Sequence, residues 1–111
     1  MLEGLFGNAV IEKVLFYILK NEKTYATELH HAFNLPLFSF QTAMGRLEKG
    51  GILASYRVGK TRLYEFNPRF AMLKELIVFL EKSYSFLPAD FRQKYYEYPI
   101  RKRPRRKGKP L

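Results

Sequence analysis

Apolar residues recur every three or four positions in two stretches near the start of the chain, as they do on one face of an amphipathic helix. The first stretch follows Asn8, a residue type that often caps helices. Its apolar positions are Val10, Ile11, Val14, Leu15, Ile18 and Leu19. The second stretch has its apolar positions at Ala26, Leu29 and Phe33, with Thr24 as the expected cap and Asn34 as the end. The spacing therefore predicts two helices, of which the second is short.

A third helix is predicted directly after the second. Pro36 suits either a turn or the first position of this helix, where its missing N–H would be unpaired anyway. The buried stripe consists of Phe40, Ala43, Met44 and Leu47. Gly50-Gly51 supplies a left-handed stop. Two short helices joined by a tight turn form a helix-turn-helix.

The pattern then changes to that of two β-strands. Residues 52–58 and 61–66 are runs that favour β-structure, and they flank Gly59-Lys60. Glycine readily takes the positive φ that a tight hairpin turn needs. We expect this hairpin to form a wing beside the third helix.

Helical spacing returns after Asn67-Pro68, which predicts a fourth helix. One side carries Leu73, Leu76, Ile77, Leu80, Tyr84 and Leu87, whereas Met72, Phe79 and Phe86 repeat every seventh residue on a second side, next to Val78. This is more apolar surface than one small domain can cover. We therefore expect a homodimer that is formed by the first and fourth helices.

The remaining residues divide into two parts. Pro88 is expected to end the fourth helix, and residues 88–99 form an aromatic segment that could pack on the domain or on a partner. Residues 100–111 are expected to form a disordered tail. Residues 1–87 then constitute a winged helix-turn-helix domain that includes the dimerisation helix, and the fold class is mainly α with a small β-hairpin wing.

Charge adds one observation to this picture. The 111 residues carry a formal net charge of +10, and their hydrophobic content of 47% is ample for a single core. Every charged residue of the tail is basic, namely Arg101, Lys102, Arg103, Arg105, Arg106, Lys107 and Lys109. The charge indicates that the tail binds a polyanion. DNA, RNA and lipid headgroups are the candidates. Nucleic acid is favoured because the body of the chain independently has a DNA-binding pattern.

The order of elements and the stretch from Gln41 to Leu53 resemble the ArsR-type winged helix regulators of bacteria and archaea. The similarity runs from about Asn8 to about Leu80, and Gly59-Lys60-Thr61-Arg62-Leu63-Tyr64 looks like the wing turn and returning strand of that family. The resemblance implies a homodimer on operator DNA, with the third helix in the major groove. It does not imply metal sensing, because the chain has no cysteine and His30 and His31 are merely adjacent.

Residue chemistry selects candidates on the third helix and the wing. Gln41, Thr42 and Arg46 can donate to or accept from base edges, whereas Ser39 and Lys49 suit phosphate. Arg57, Lys60 and Arg62 surround the wing turn. Phe38 is interpreted as a partly buried ring that supports the turn rather than as a contact to a thymine methyl group. Gly45 costs a helix about 1 kcal/mol relative to alanine, so either a close neighbour requires it or the chain tolerates it.

These features predict a sequence-specific, repressor-like transcription regulator that binds duplex DNA as a dimer. No catalytic motif, phosphate-binding glycine loop or metal-ligand set is present in the sequence, so we expect no enzyme activity, cofactor or metal. No signal peptide or transmembrane stretch is recognised, which favours a cytoplasmic protein without a membrane partner. A protein-interaction module and an RNA- or ribosome-binding protein are the alternatives.

Overall fold

The computed structural model of the chain describes residues 1–98, and the predicted basic tail lies outside them. The described part is mainly helical with a small antiparallel sheet. Its elements are α1 (Glu3–Phe6), α2 (Ala9–Asn21), β1 (Lys23–Thr24), α3 (Ala26–Phe33), α4 (Leu37–Lys49), β2 (Leu53–Val58), β3 (Thr61–Phe66), α5 (Leu73–Tyr84), α6 (Ala89–Phe91) and a π-helical turn (Arg92–Glu97).

The helices predicted in the first half of the chain are confirmed, with one wrong cap. The Asn8 side chain accepts a hydrogen bond of 2.8 Å from the Ile11 amide at the start of α2. Asn34 ends α3 in the left-handed conformation, at φ 57°. Thr24 does not cap α3, because it lies in β1, one residue before the helix-capping Tyr25, and is buried there. Its hydroxyl instead donates to the Glu28 carboxylate at 2.7 Å.

The sheet has three strands in the order β1-β3-β2. The predicted hairpin is confirmed, and in it Val58 pairs with Thr61 across Gly59-Lys60. The short strand β1, which pairs Lys23 with Glu65 and Thr24 with Tyr64, was not predicted. Two residues are too few to show an alternating pattern, and a polar sequence surrounds them.

Both ends of α4 follow from local chemistry. Pro36 lies just before the helix in an extended conformation (φ −57°, ψ 137°), so it belongs to the turn and not to the first helical position. At the other end, Gly51 takes a φ of +82°. The Ile52 amide then donates to the Leu47 carbonyl, and the Gly51 amide donates to the Glu48 carbonyl, each at 2.9 Å. This pair of bonds is the Schellman motif, and it turns the chain directly into β2.

The core forms around α2, most of whose residues are buried. Most of its apolar residues are covered by the same chain, whereas Val10 and Leu19 are half-buried, and its contribution to a dimer face stays a prediction. The stripe of Phe40, Ala43, Met44 and Leu47 on α4 is buried as predicted. None of the helices among the described residues has the length and apolar content that a bilayer crossing requires.

The aromatic segment after Pro88 packs on its own domain. Pro88 does not end the fourth predicted helix, because α5 already ends at Tyr84, four residues earlier, and Pro88 instead precedes α6. Tyr96 is fully buried, with its ring edge-on to Phe16 at 5.8 Å. The Asn21 amide nitrogen donates to the Tyr96 carbonyl at 3.0 Å, which ties the π-helical turn to the end of α2. The segment thus completes the core.

Candidate nucleic-acid interface

Helices α3 and α4 are joined by three residues, Asn34, Leu35 and Pro36. The His30 ring donates from Nδ1 to the Leu35 carbonyl at 2.6 Å, which fastens this turn to α3. His31 is exposed, and the described residues contain no cluster of three or more side chains that could hold a metal ion. His30 therefore stabilises the turn between α3 and α4.

The predicted contact residues of α4 lie on the side of the helix away from the core. Gln41, Thr42, Arg46 and Lys49 are exposed, whereas Ser39 is half-buried. Successive residues of a helix are rotated by about 100°, which puts Thr42 and Lys49 near the middle of the outward face. Gln41 and Arg46 lie on opposite flanks of that face, and Ser39 lies at its edge. The outward face therefore presents hydrogen-bonding groups and two cations.

Phe38 also lies on this outward face, which contradicts the prediction that it supports the turn. Its side chain is 74% exposed. The helical spacing explains this position, because Phe38 lies opposite the stripe of Phe40, Ala43, Met44 and Leu47. The periodicity of the sequence already indicated an outward ring, and the hydrophobic character of phenylalanine suggested the wrong environment.

Gly45 lies one turn after Thr42 on the same face and is exposed. A Cβ atom built at this position meets no heavy atom within 4 Å. Its φ is not positive, so an alanine could take the same backbone conformation. No close neighbour within the described residues therefore requires a glycine here.

The hairpin presents its cations at the tip. Gly59 takes a φ of +65° in the two-residue turn, and Lys60 beside it is exposed. Arg57 and Arg62 are exposed and lie directly opposite each other in the β2–β3 register. Like charges that face each other across strands are unfavourable. An anionic partner would relieve this repulsion.

A hydrogen-bonded chain joins the hairpin to α4. The Arg62 guanidinium donates to the Ser55 hydroxyl at 2.9 Å, and this hydroxyl donates to the Glu48 carboxylate at 2.7 Å. Sequence reasoning missed Glu48 and Ser55, because their roles depend on strand register. Burial, and then the charge of Glu48, raise the pKa of the nearby Tyr64.

Strand alternation then fixes the direction of the two arginines. Side chains two residues apart on a strand point to the same face, so Arg57 and Ser55 share the face that meets α4. Arg62, the cross-strand partner of Arg57, lies on that face as well. Arg57, Arg62 and Glu48 near the C-terminal end of α4 are therefore on the same side of the sheet.

The five cations of this surface are Arg46, Lys49, Arg57, Lys60 and Arg62. Within residues 1–98, no carboxylate lies within ion-pair distance of any of them, and the ion pairs found there involve the amino terminus. We call the outward face of α4 together with the hairpin tip the basic face. The predicted tail contacts Arg101, Lys102, Arg103, Arg105, Arg106, Lys107 and Lys109 lie outside the described residues.

Two further surfaces differ from the basic face. On the opposite side of the sheet, the Lys23 ammonium donates to the Tyr56 hydroxyl at 3.2 Å, and this bond raises the pKa of Lys23. On α5 and its flanks, Met72, Val78, Phe79 and Phe86 are exposed. Within residues 1–98, nothing covers the second apolar side of the fourth predicted helix. The homodimer stays a prediction.

Comparisons of the chain with protein-family models, with curated proteins and with solved structures give no match. The resemblance to ArsR-type regulators therefore rests on the order of elements and on the residues quoted above.

Proposed function

We propose that the protein binds duplex DNA sequence-specifically as a homodimer and regulates transcription. In this proposal α3 and α4 form a helix-turn-helix, α4 enters the major groove, and the β2–β3 hairpin is a wing that contacts the sugar-phosphate backbone. Gln41, Thr42 and Arg46 contact base edges. The exposed apolar side of α5 pairs with that of a second copy.

The observation that carries the proposal is the position of cations on both sides of an outward, hydrogen-bonding helix face, with no direct ion pair to a carboxylate of residues 1–98. Arg57 and Arg62 are held opposite each other on the side of the sheet that meets α4, although their charges repel. Phosphate contacts of this kind fix the position of a protein on DNA, and side chains in the major groove read its sequence. The basic face offers both kinds of group.

The test starts with selection of bound duplexes from a random-sequence library by the full chain. Affinity for a selected duplex and for a scrambled duplex is then measured by fluorescence anisotropy at several salt concentrations. We expect the selected duplex to bind at least about 1,000-fold more tightly. Selection of no sequence, or tighter binding of structured RNA in competition, would contradict the proposal.

Variants separate binding to the backbone from binding to the bases. Arg57→Ala with Arg62→Ala should weaken both duplexes alike and reduce the slope of log affinity against log salt by roughly 0.9 for each phosphate that the variant no longer neutralises. Arg46→Ala should mainly reduce the preference for the selected duplex. Lys23→Ala removes an exposed cation on the opposite side of the sheet and serves as the control, with wild-type binding expected.

A further inference from the structure

Phe38 is an isolated aromatic ring on a polar and cationic surface. Its outward neighbours on α4 are Gln41 and Thr42, one turn further along the helix, and Gly45 after them. On α5 and its flanks there are instead four exposed apolar side chains, of which Met72, Phe79 and Phe86 repeat every seventh residue, as expected of a surface that pairs with another apolar surface. A lone ring among hydrogen-bonding groups fits a partner that is itself polar, with apolar groups only at isolated points.

The major groove of DNA has this character. Its floor consists of hydrogen-bond donors and acceptors, and the 5-methyl group of thymine is the apolar group that it exposes. A phenylalanine on a helix in the groove can cover this methyl group, and a polar side chain at the same position cannot do so as favourably.

Gly45 supplies the second observation. Glycine lowers helix stability relative to alanine, and neither the backbone conformation nor a neighbouring atom within the described residues calls for it. On the outward face, a missing side chain lets the helix backbone come nearer to whatever it contacts. Such an approach would bring Phe38, on the same face, toward the floor of the groove.

From these two observations we propose that Phe38 recognises thymine through its 5-methyl group, and that Gly45 allows α4 to approach the groove closely enough for this contact. The inference rests on the proposed function and names the base that one residue of α4 selects. Phe38 is thereby a specificity-determining residue.

The first experiment replaces thymine by deoxyuridine, one position at a time, in the selected duplex, which removes the methyl group and keeps the base pair. The affinity of the wild-type protein should fall about fourfold at a thymine that Phe38 contacts, which is the expected effect of one buried carbon group. Phe38→Ala should bind both duplexes equally. Leu5→Ala removes an exposed apolar side chain from α1, away from both α4 and the exposed apolar side of α5, and it should keep the wild-type ratio.

The second experiment introduces a side chain at the glycine. Gly45→Ala should raise the melting temperature by roughly 4 °C, since helix propensity improves. It should also abolish the difference between thymine and deoxyuridine, because the helix is held away from the groove. Gly4→Ala is the matched control, since Gly4 is also helical with open space around its Cβ position, and it should keep the difference.

The outcomes distinguish this inference from the proposed function. If no duplex were selected, both would be wrong. If a duplex were selected but contained no thymine sensitive to methyl removal, or if Phe38→Ala retained that sensitivity, the thymine contact alone would be overturned. An unchanged thymine preference in Gly45→Ala, with the melting temperature raised, would show that Gly45 has no part in it.

Discussion

Helix α4 and the C-terminal helical segment begin in the same way and use their aromatic residues differently. Pro36 and Pro88 precede them with nearly identical backbone angles, φ −57° and ψ 137° against φ −58° and ψ 143°. Phe38 near the start of α4 is 74% exposed, whereas Tyr96 in the C-terminal segment is 1% exposed. Phe38 follows its proline by two residues and Tyr96 by eight, so the position along the helix, and not the local start, decides whether a ring faces the solvent or the core.

The difference shows which part of the chain fills the core. The rings of Tyr84 and Tyr96 lie edge-on to Phe16 at 5.5 and 5.8 Å, and Tyr95 stacks on Phe33 at 5.2 Å. Helix α4 contributes Phe40 from its inner face. The core is therefore complete without Phe38, which leaves that ring free for a partner.

The largest expected effect tests whether Tyr96 belongs to the core and Phe38 does not. Tyr96→Ala should lower the free energy of unfolding by about 3–5 kcal/mol, as for other buried aromatic rings, because it leaves a cavity against Phe16. Phe38→Ala should change it by no more than about 0.5 kcal/mol, as expected at an exposed position. Chemical denaturation of both variants measures the two values.

Leu5→Ala is the control for this comparison, because it also removes an exposed apolar side chain from a position outside α4. A decrease of several kcal/mol in Phe38→Ala would mean that the ring packs against the protein in solution. The contrast between the two helices, and the thymine contact that depends on it, would then be wrong.

The sequence predicted most helices and the hairpin, because these elements have strong periodicity and explicit stop signals. Asn8, Asn34 and Gly51 act at helix ends as expected. Helix α1 and strand β1 were missed, since four and two residues are too short to show a period. Thr24 was misjudged because strand pairing with β3, a contact between distant residues, decides its position.

The sequence predicted the candidate site only in part. The exposure of Gln41, Thr42, Arg46 and Lys49 follows from the helical period alone. The chain of hydrogen bonds from Arg62 through Ser55 to Glu48 does not, because it depends on the register of two strands and on the angle of the helix to them. The position of the C-terminal segment could not be predicted either, because its aromatic residues could pack equally well on the same domain or on a partner.

A second prediction concerns the ionisation of the buried Tyr96 hydroxyl at high pH. Burial, and then the charge of Glu12, raise the pKa of Tyr96 above its ordinary value of 10.0. Above about pH 10 the unfolded chain releases this proton and the folded chain keeps it, so the stability present at lower pH is lost as pH rises. The contribution of this one tyrosine to the slope should be about 1.4 kcal/mol per pH unit.

Tyr96→Phe keeps the ring and removes the proton. Its free energy of unfolding, measured by denaturation between pH 8 and about 11, should therefore fall less steeply than that of the wild type above pH 10. Parallel curves for the two proteins would mean that the Tyr96 hydroxyl ionises in the folded state as it does in the unfolded chain, contrary to the buried position described above.

The smallest expected effect compares two polar contacts, one from each region. Asn21 is buried and donates to the carbonyls of Tyr17 and Tyr96, each at 3.0 Å, whereas Ser55 links Arg62 to Glu48 near the surface. Asn21→Ala should cost about 1 kcal/mol, because it leaves the Tyr96 carbonyl without this donor in the core. Ser55→Ala should cost no more than about 0.5 kcal/mol, since water can replace the hydroxyl. If chemical denaturation gave the same loss of stability for both variants, the hairpin would be held to α4 as firmly as the C-terminal segment is held to α2. The basic face would then be as rigid as the core.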